Sequence, residues 1–230
     1  MKGVLTSLVV LVVLAVGADR LSLVLTERAV ASQLQSSGSL SSRPSVSIHG
    51  FPFLTQALSG RYDDVDLSAD EVTAGGGRLS RLEASLHGVH VSLSSALSGS
   101  VSTVPVDQLR ATVLMSYADM TTQLRDRRLA VSRGGDLLRV TGSVTVLGRS
   151  VSASALSTVT LSGTSVVVTA QRFEVAGAVA DRVLTRALGN RLDFVVRIGA
   201  LPYGLKLTGV HVAAAGIIAT AAADGVVLHR

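Results

Sequence analysis

The sequence predicts an α+β protein, a strongly curved and mostly antiparallel sheet packed against a few helices. Three observations carry that reading. After Pro44, apolar residues alternate with polar ones at period two in run after run. Helical spacing is confined to a few stretches, with none of the strand–helix alternation that builds a doubly wound parallel sheet. In two strands the alternation slips phase at a glycine, which marks a bulge that bends and twists the strand.

The chain starts with an apolar block. Sixteen uncharged residues, Gly3 to Ala18, follow Met1-Lys2 and stop at Asp19-Arg20. One Lys, a Val- and Leu-rich stretch and then Val16-Gly17-Ala18 resemble the plan of a secretory signal. As a helix the block spans about 24 Å at 1.5 Å per residue, short of the roughly 30 Å hydrocarbon core. Two outcomes stay open. Cleavage after Ala18 releases a soluble protein; without it, the block continues into Leu21 to Leu25 as a tilted anchor with Arg20 snorkelling. Either outcome puts the globular part outside the cytoplasm.

Leu23, Thr26, Val30 and Leu34 fall at helical spacing, so residues 19–35 are expected as an amphipathic helix. Ser36-Ser37-Gly38-Ser39 and Ser41-Ser42-Arg43-Pro44 form a polar linker after it. Strands are expected around Val65, Leu67 and Ala69; around Leu82, Ala84 and Leu86; around Leu109, Ala111, Val113 and Met115; and around Val140, Val144 and Val146. Gly75-Gly76-Gly77 and Gly148-Arg149 are the turns between neighbouring runs. The phase slips lie at Gly88, between Leu86 and Val89, and at Gly209, between Leu207 and Val210. Short helices are expected from Phe53 to Ser59, from a Ser116/Asp119 capping box to about Leu124, and through Val179, Val183 and Ala187 up to Gly189-Asn190.

Composition narrows the function. The chain has 230 residues and no cysteine, which excludes disulfides, thiolate metal sites and a cysteine nucleophile. Aromatic residues make up 3% and Trp is absent, so no stacking platform for single-stranded nucleic acid exists, and nucleic acid is not an expected partner. The formal charge is +5, carried almost entirely by Arg, since Lys2 and Lys206 are the lysines. Such a bias reflects genome composition more often than function. Guanidinium nevertheless binds phosphate bidentately, and a basic exported protein is drawn to anionic lipid or polymer surfaces.

Catalytic patterns are missing. There is no G-x-S-x-G elbow to mark a nucleophile among the serines. Gly75-Gly76-Gly77-Arg78 lacks the Lys-Ser/Thr ending of a phosphate loop. His87 and His90 have no carboxylate near them in sequence, and Asp63, Asp64, Asp66 and Asp70 lack the spacing of a calcium loop and read as the wet face of one strand. Arg125, Asp126, Arg127 and Arg128 are the densest charge cluster, a solvated turn or a contact for anionic head groups. The expectation is no catalytic residue, no metal and no cofactor.

Ordered motifs carry a resemblance. Gly50-Phe51-Pro52-Phe53-Leu54-Thr55-Gln56 with Gly60-Arg61-Tyr62-Asp63-Asp64-Val65, then Ser116-Tyr117-Ala118-Asp119-Met120, Leu201-Pro202-Tyr203-Gly204-Leu205 and Asp224-Gly225-Val226-Val227-Leu228, are similar to segments of the LmeA-like phospholipid-binding family of actinobacterial envelope proteins. The resemblance implies a tubular lipid-binding architecture of the bactericidal/permeability-increasing type. It also implies a periplasmic or cell-surface location and a phospholipid ligand, with phosphoinositides the suggested class. It supplies no catalytic residues.

The expected organisation is a signal peptide or anchor over residues 1–18, an amphipathic helix and linker over 19–43, and a lipid-binding-type domain over 44–230. A curved sheet closed by helices and lined by Val and Leu makes an elongated apolar cavity. Each buried lipid CH₂ contributes roughly 0.8 kcal/mol, so an acyl chain can be held without charge contacts. Phe51, Phe53, Leu54, Val65, Leu67, Val113 and Met115 are the expected lining. Packing in a filled core is the alternative for the same residues. The functional expectation is thus a non-enzymatic cell-envelope protein, anchored or secreted, that binds or transfers phospholipid at a membrane surface. The alternative is a structural envelope protein with a filled core, acting through protein or glycan contacts.

Overall fold

The computed structural model describes residues 2–36, 42–74, 77–98, 100–125, 128–146, 149–175, 178–179, 193–197 and 201–229. The fold is α+β, a curled and mostly antiparallel sheet with a few helices against it. In chain order the helices are α1 (Lys2–Ser36), α2 (Phe53–Ser59), α3 (Leu93–Ser98) and α4 (Tyr117–Gln123). The strands are β1 (Ser45–His49), β2 (Arg61–Ala74), β3 (Gly77–His90), β4 (Thr103–Ser116), β5 (Leu129–Gly134), β6 (Leu137–Val146), β7 (Arg149–Ser162), β8 (Ser165–Val175), β9 (Ala178–Val179), β10 (Phe194–Arg197), β11 (Lys206–Val212) and β12 (Gly216–His229).

Hydrogen bonding orders them as β1-β2-β3-β4-β12-β11 and as β10-β8-β7-β6-β5, with β9 beside β8. The pairs of β1 with β2, β5 with β6, β6 with β7, β7 with β8, and β11 with β12 are all antiparallel. By packing, the chain forms two compact units. One comprises Met1–Asp70, Glu83–Arg110 and Ala223–Arg230; the other comprises Glu71–Leu82 and Ala111–Ala222.

In the first unit, α1 is a single helix from Lys2 to Ser36, in which the apolar block runs on into the amphipathic helix expected over 19–35. Nothing between Ala18 and Leu21 breaks it, because Asp19 and Arg20 tolerate a helix interior and no Gly or Pro intervenes after Gly17. Residues 6–18 are exposed on every side. Beyond them, Asp19, Leu23 and Ala31 are buried at helical spacing, with Thr26, Glu27 and Leu34 half-buried beside them. Ala31 takes the inward position that the periodicity had assigned to Val30, which stays exposed. The Glu27 carboxylate accepts the backbone N–H of Ile48 at 2.8 Å, so α1 satisfies a donor of strand β1. Helix α2 spans the expected residues and ends at Gly60, whose φ of 70° is the left-handed cap that glycine supplies.

The second unit holds a closed core. Val131, Leu138, Val140, Val168 and Phe194 pack together, with Tyr117 and Met120 of α4 and the following Leu124 against them. Helix α4 opens as expected: Ser116 Oγ accepts the Asp119 N–H at 3.1 Å and donates to the Asp119 carboxylate at 2.6 Å. In β11 the register with β12 shifts between Leu207 and Gly209, the bulge that the phase slip predicted. In β3, Gly88 takes φ 62°, the left-handed geometry such a slip requires.

One expected helix changes, and the fold adds two features that local sequence does not carry. Val179 belongs to β9, paired with Glu174, and not to a helix; the rest of that expected helix, up to Gly189-Asn190, lies outside the described residues. A valine of this kind gains more from a ladder partner than from a marginal helical turn. Helix α3 has no apolar periodicity and was not anticipated; Ser92 Oγ accepts the Ser95 N–H at 3.3 Å at its start. His87 and His90, which have no carboxylate near them in sequence, meet Asp64 and Asp107 from neighbouring strands. The Gly75-Gly76 and Gly148 turns and the Asp126-Arg127 part of the charge cluster lie outside the described residues.

Candidate functional site

The first feature is the joint between α1 and α2. Asp19 is 2% exposed, and its Oδ1 accepts the backbone N–H of Leu54 at 2.8 Å. The first turn of a helix has free N–H donors, and here α1 caps α2 with a side chain thirty-five positions earlier. The other oxygen, Oδ2, has no hydrogen bond but lies 3.2 Å from Arg20 Nη2. The Arg20 guanidinium in turn sits 4.9 Å from the centre of the Phe51 ring, a cation–π distance. Three expected lipid-contact residues therefore diverge. Phe53 is 3% exposed and packs on Tyr62 with ring centres 6.1 Å apart. Phe51 and Leu54 point outward, 62% and 38% exposed. Leu58, one turn past Leu54, is 76% exposed and shares its side of α2. That i, i+4 pair is visible in the sequence as Leu54 and Leu58.

The second feature is the β1–β2 ladder. Val46 stands opposite Leu67, and Ile48 opposite Val65. Cross-strand partners share a face, so these four and Ala69 form one aliphatic surface. Val46, Ile48 and Ala69 are buried, while Val65 and Leu67 are half-buried. The structure brings those two expected residues together.

The opposite face of the same strands is polar. His49 Nε2 lies 2.9 Å from Asp66 Oδ2, and Ser85 Oγ donates to Asp66 Oδ1 at 2.7 Å. His87 Nδ1 meets Asp64 directly. His90 Nε2 lies 3.1 Å from Asp107 Oδ1, whose other oxygen accepts from Arg61 Nη2 at 3.1 Å. The Ser85 hydrogen bond, helped by His49, holds the Asp66 carboxyl below its ordinary range. These groups are about half exposed, so each pair contributes roughly 0–1 kcal/mol. Among the described residues no group of three or more His, Asp or Glu is arranged to hold a metal ion.

Val113 and Met115 lie in the second unit, two positions apart on β4 and thus on one face, both half-buried. Around them the chain is well satisfied. Ser80 Oγ accepts the Ser116 N–H at 3.1 Å and donates to Asp119 at 2.9 Å, and the Tyr117 hydroxyl donates to the Ala213 carbonyl at 2.6 Å. The hydrogen bonds from Ser116 and then Ser80 hold the Asp119 carboxyl below its usual range.

The arrangement offers aliphatic surface, an outward apolar edge and a polar reverse face. The resident chemistry is burial and charge contact. The helix α1 contains one stretch long and apolar enough to cross a membrane, by length and composition. No curated protein and no solved structure matches the chain. Residues 17–222 match the model of a family described as LmeA-like phospholipid-binding. That match takes in α2, the half-buried β1–β2 face and β4, and the chain belongs to the LmeA-like phospholipid-binding family.

Proposed function

We propose that this is a non-enzymatic envelope protein that takes phospholipid acyl chains onto the aliphatic faces of its strands, with α1 holding it at a membrane. The observation that carries the reading is the β1–β2 face: Val65 and Leu67 are incompletely buried, directly across the ladder from the buried Ile48 and Val46. Uncovered aliphatic surface beside a buried strip gains from an acyl chain at about 25 cal/mol per Å². Family membership supports phospholipid as the ligand class. The Arg-rich surface supports anionic head groups, phosphoinositide among them. Phe51 and Leu54 are proposed as further contacts of the first unit, with Phe53 packed on Tyr62 beneath them, and Val113 and Met115 as separate contacts on the second.

The test is to strip lipid from the purified protein, incubate it with labelled phospholipids and weigh the complex by native mass spectrometry. Bound lipid at micromolar protein is expected, and its absence sinks the reading. Sequencing the mature N-terminus decides the mode of attachment: Met1 retained means an anchor, a start at Asp19 a released carrier.

One observation favours the structural alternative for the second unit. Leu138, Val140, Ala153 and Ala155 are at most 1% exposed, which is a filled interior. There the protein would act through its outer surface, and the lipid would be confined to the half-buried strands.

A further inference from the structure

We infer that α2 and the preceding Phe51 turn form, with the outer side of α1, a collar that docks into the head-group layer of the bilayer that α1 enters. Three observations assemble it.

The two charges that end the apolar block in the sequence do not end it in space. Asp19 is turned into the protein as the cap of α2, and Arg20 is drawn to Asp19 and the Phe51 ring. The outward side of α1 then stays apolar past them: Leu21 and Leu25, one turn apart, are 62% and 57% exposed. Counted to Ala18 the apolar helix covers about 24 Å, less than the roughly 30 Å hydrocarbon core; counted to Leu25 it covers about 34 Å, enough to cross it.

At that level α2 adds a second outward apolar edge. Phe53, Gln56 and Ala57 face into the unit. Phe51, Leu54 and Leu58 face away from it. The Asp19–Leu54 bond and the Arg20–Phe51 contact fix this edge where α1 leaves the apolar stretch. Large apolar residues held outward beside a span of this kind are an interaction surface.

The occupant is the bilayer and not a protein groove, because the adjoining residues 8–18 carry no polar side chain and are exposed all round, which suits hydrocarbon on every side. Arg20, with about half its side chain free, lies where a guanidinium reaches lipid phosphate while its stem stays in apolar surroundings. The collar is independent of lipid uptake by the β1–β2 face. It places the protein against the leaflet.

The absence of Trp makes the test clean. Full-length chain carrying Leu58→Trp or Phe51→Trp is reconstituted into phosphatidylcholine–phosphatidylglycerol vesicles. Part of the phosphatidylcholine is brominated either near the glycerol or near the chain end. Leu11→Trp, inside the apolar stretch, and Gln35→Trp, fifteen residues and about 22 Å along α1 from Arg20, are the references. For positions 51 and 58, shallow bromine is expected to remove more emission than deep bromine. Leu11→Trp is expected to respond to deep bromine, and Gln35→Trp to neither.

Unquenched emission from both collar positions overturns the inference, whatever Leu11→Trp reports. Quenching of Gln35→Trp as strong as that of Leu58→Trp also overturns it, since α1 then lies flat on the surface. Native mass spectrometry of the Leu58→Trp variant, whose side chain is not among the proposed lipid contacts, separates the two ideas. Lipid retained with an unquenched collar rejects only the collar. A quenched collar without bound lipid rejects only uptake by the sheet.

Discussion

Asp19 accepts the Leu54 backbone N–H at 2.8 Å while itself buried, and that bond ties the long N-terminal helix to the first turn of α2. Removing the acceptor leaves a helix-end donor unpaired. Asp19→Ala is expected to destabilise the full chain in detergent micelles by about 1–2 kcal/mol, read from urea unfolding. Asp19→Asn keeps an acceptor and should recover most of the loss. Equal losses in the two variants would assign the effect to the Arg20 ion pair instead.

Asp119 gives a pH dependence with a definite sign. Its carboxyl is held below the ordinary range by Ser116 first and Ser80 second, so the folded state favours the ionised form. The contribution is therefore fully present above the ordinary Asp value near pH 4, and it is lost as pH falls through the lower folded value. Urea midpoints measured from about pH 6 to pH 3 should fall more steeply for the parent than for Asp119→Asn. Parallel curves would show that the capping carboxylate does not couple to folding.

A bulky substitution separates open surface from closed core. Leu67→Trp and Val113→Trp place extra volume on half-buried faces. If those faces take up acyl chains, lipid occupancy falls and the melting temperature holds. In a close-packed interior the same change costs about 1–3 kcal/mol by overpacking. Leu138→Ala, at 1% exposure in the second unit, is the reference for closed packing and should cost about 2–5 kcal/mol. Full lipid occupancy together with a large drop in melting temperature would reject the face concerned.

Gly88 combines two constraints. Its φ is 62°, and a Cβ there would stand 2.1 Å from Asp107 Oδ2. Gly135 has φ 77° with nothing within 4 Å of the same atom. Gly135→Ala should therefore show the conformational penalty alone, about 1–2 kcal/mol. Gly88→Ala should lose more and displace Asp107 from His90 and Arg61, visible as a shift of the His90 ring resonances. Equal losses would mean that Asp107 moves aside freely.

Much of the fold was legible because its causes are local. The alternation around Val65 and Leu67, the Ser116–Asp119 box, the Phe53–Ser59 helix and the bulge before Gly209 each follow from residues within a turn or a pleat of one another. Of the candidate site, the pairing of Val65 and Leu67 on one face was readable from period two. The opposite fates of Phe51 and Phe53 were not, since which aromatic faces inward depends on Tyr62 and on α1.

Tertiary structure decided what joins distant residues. The sequence by itself determined the strand faces around Val65 and Leu67, the Ser116–Asp119 cap and the apolar length before Asp19. Only the fold set His49 against Asp66, His87 against Asp64 and His90 against Asp107, because strand register, not spacing, brings them within 3.1 Å or less. Only the fold turned Asp19 inward and so carried the apolar outer side of α1 on to Leu25. A charge reads as polar wherever it stands in a sequence. Its effect on a surface depends on whether burial and a backbone donor have already taken it up.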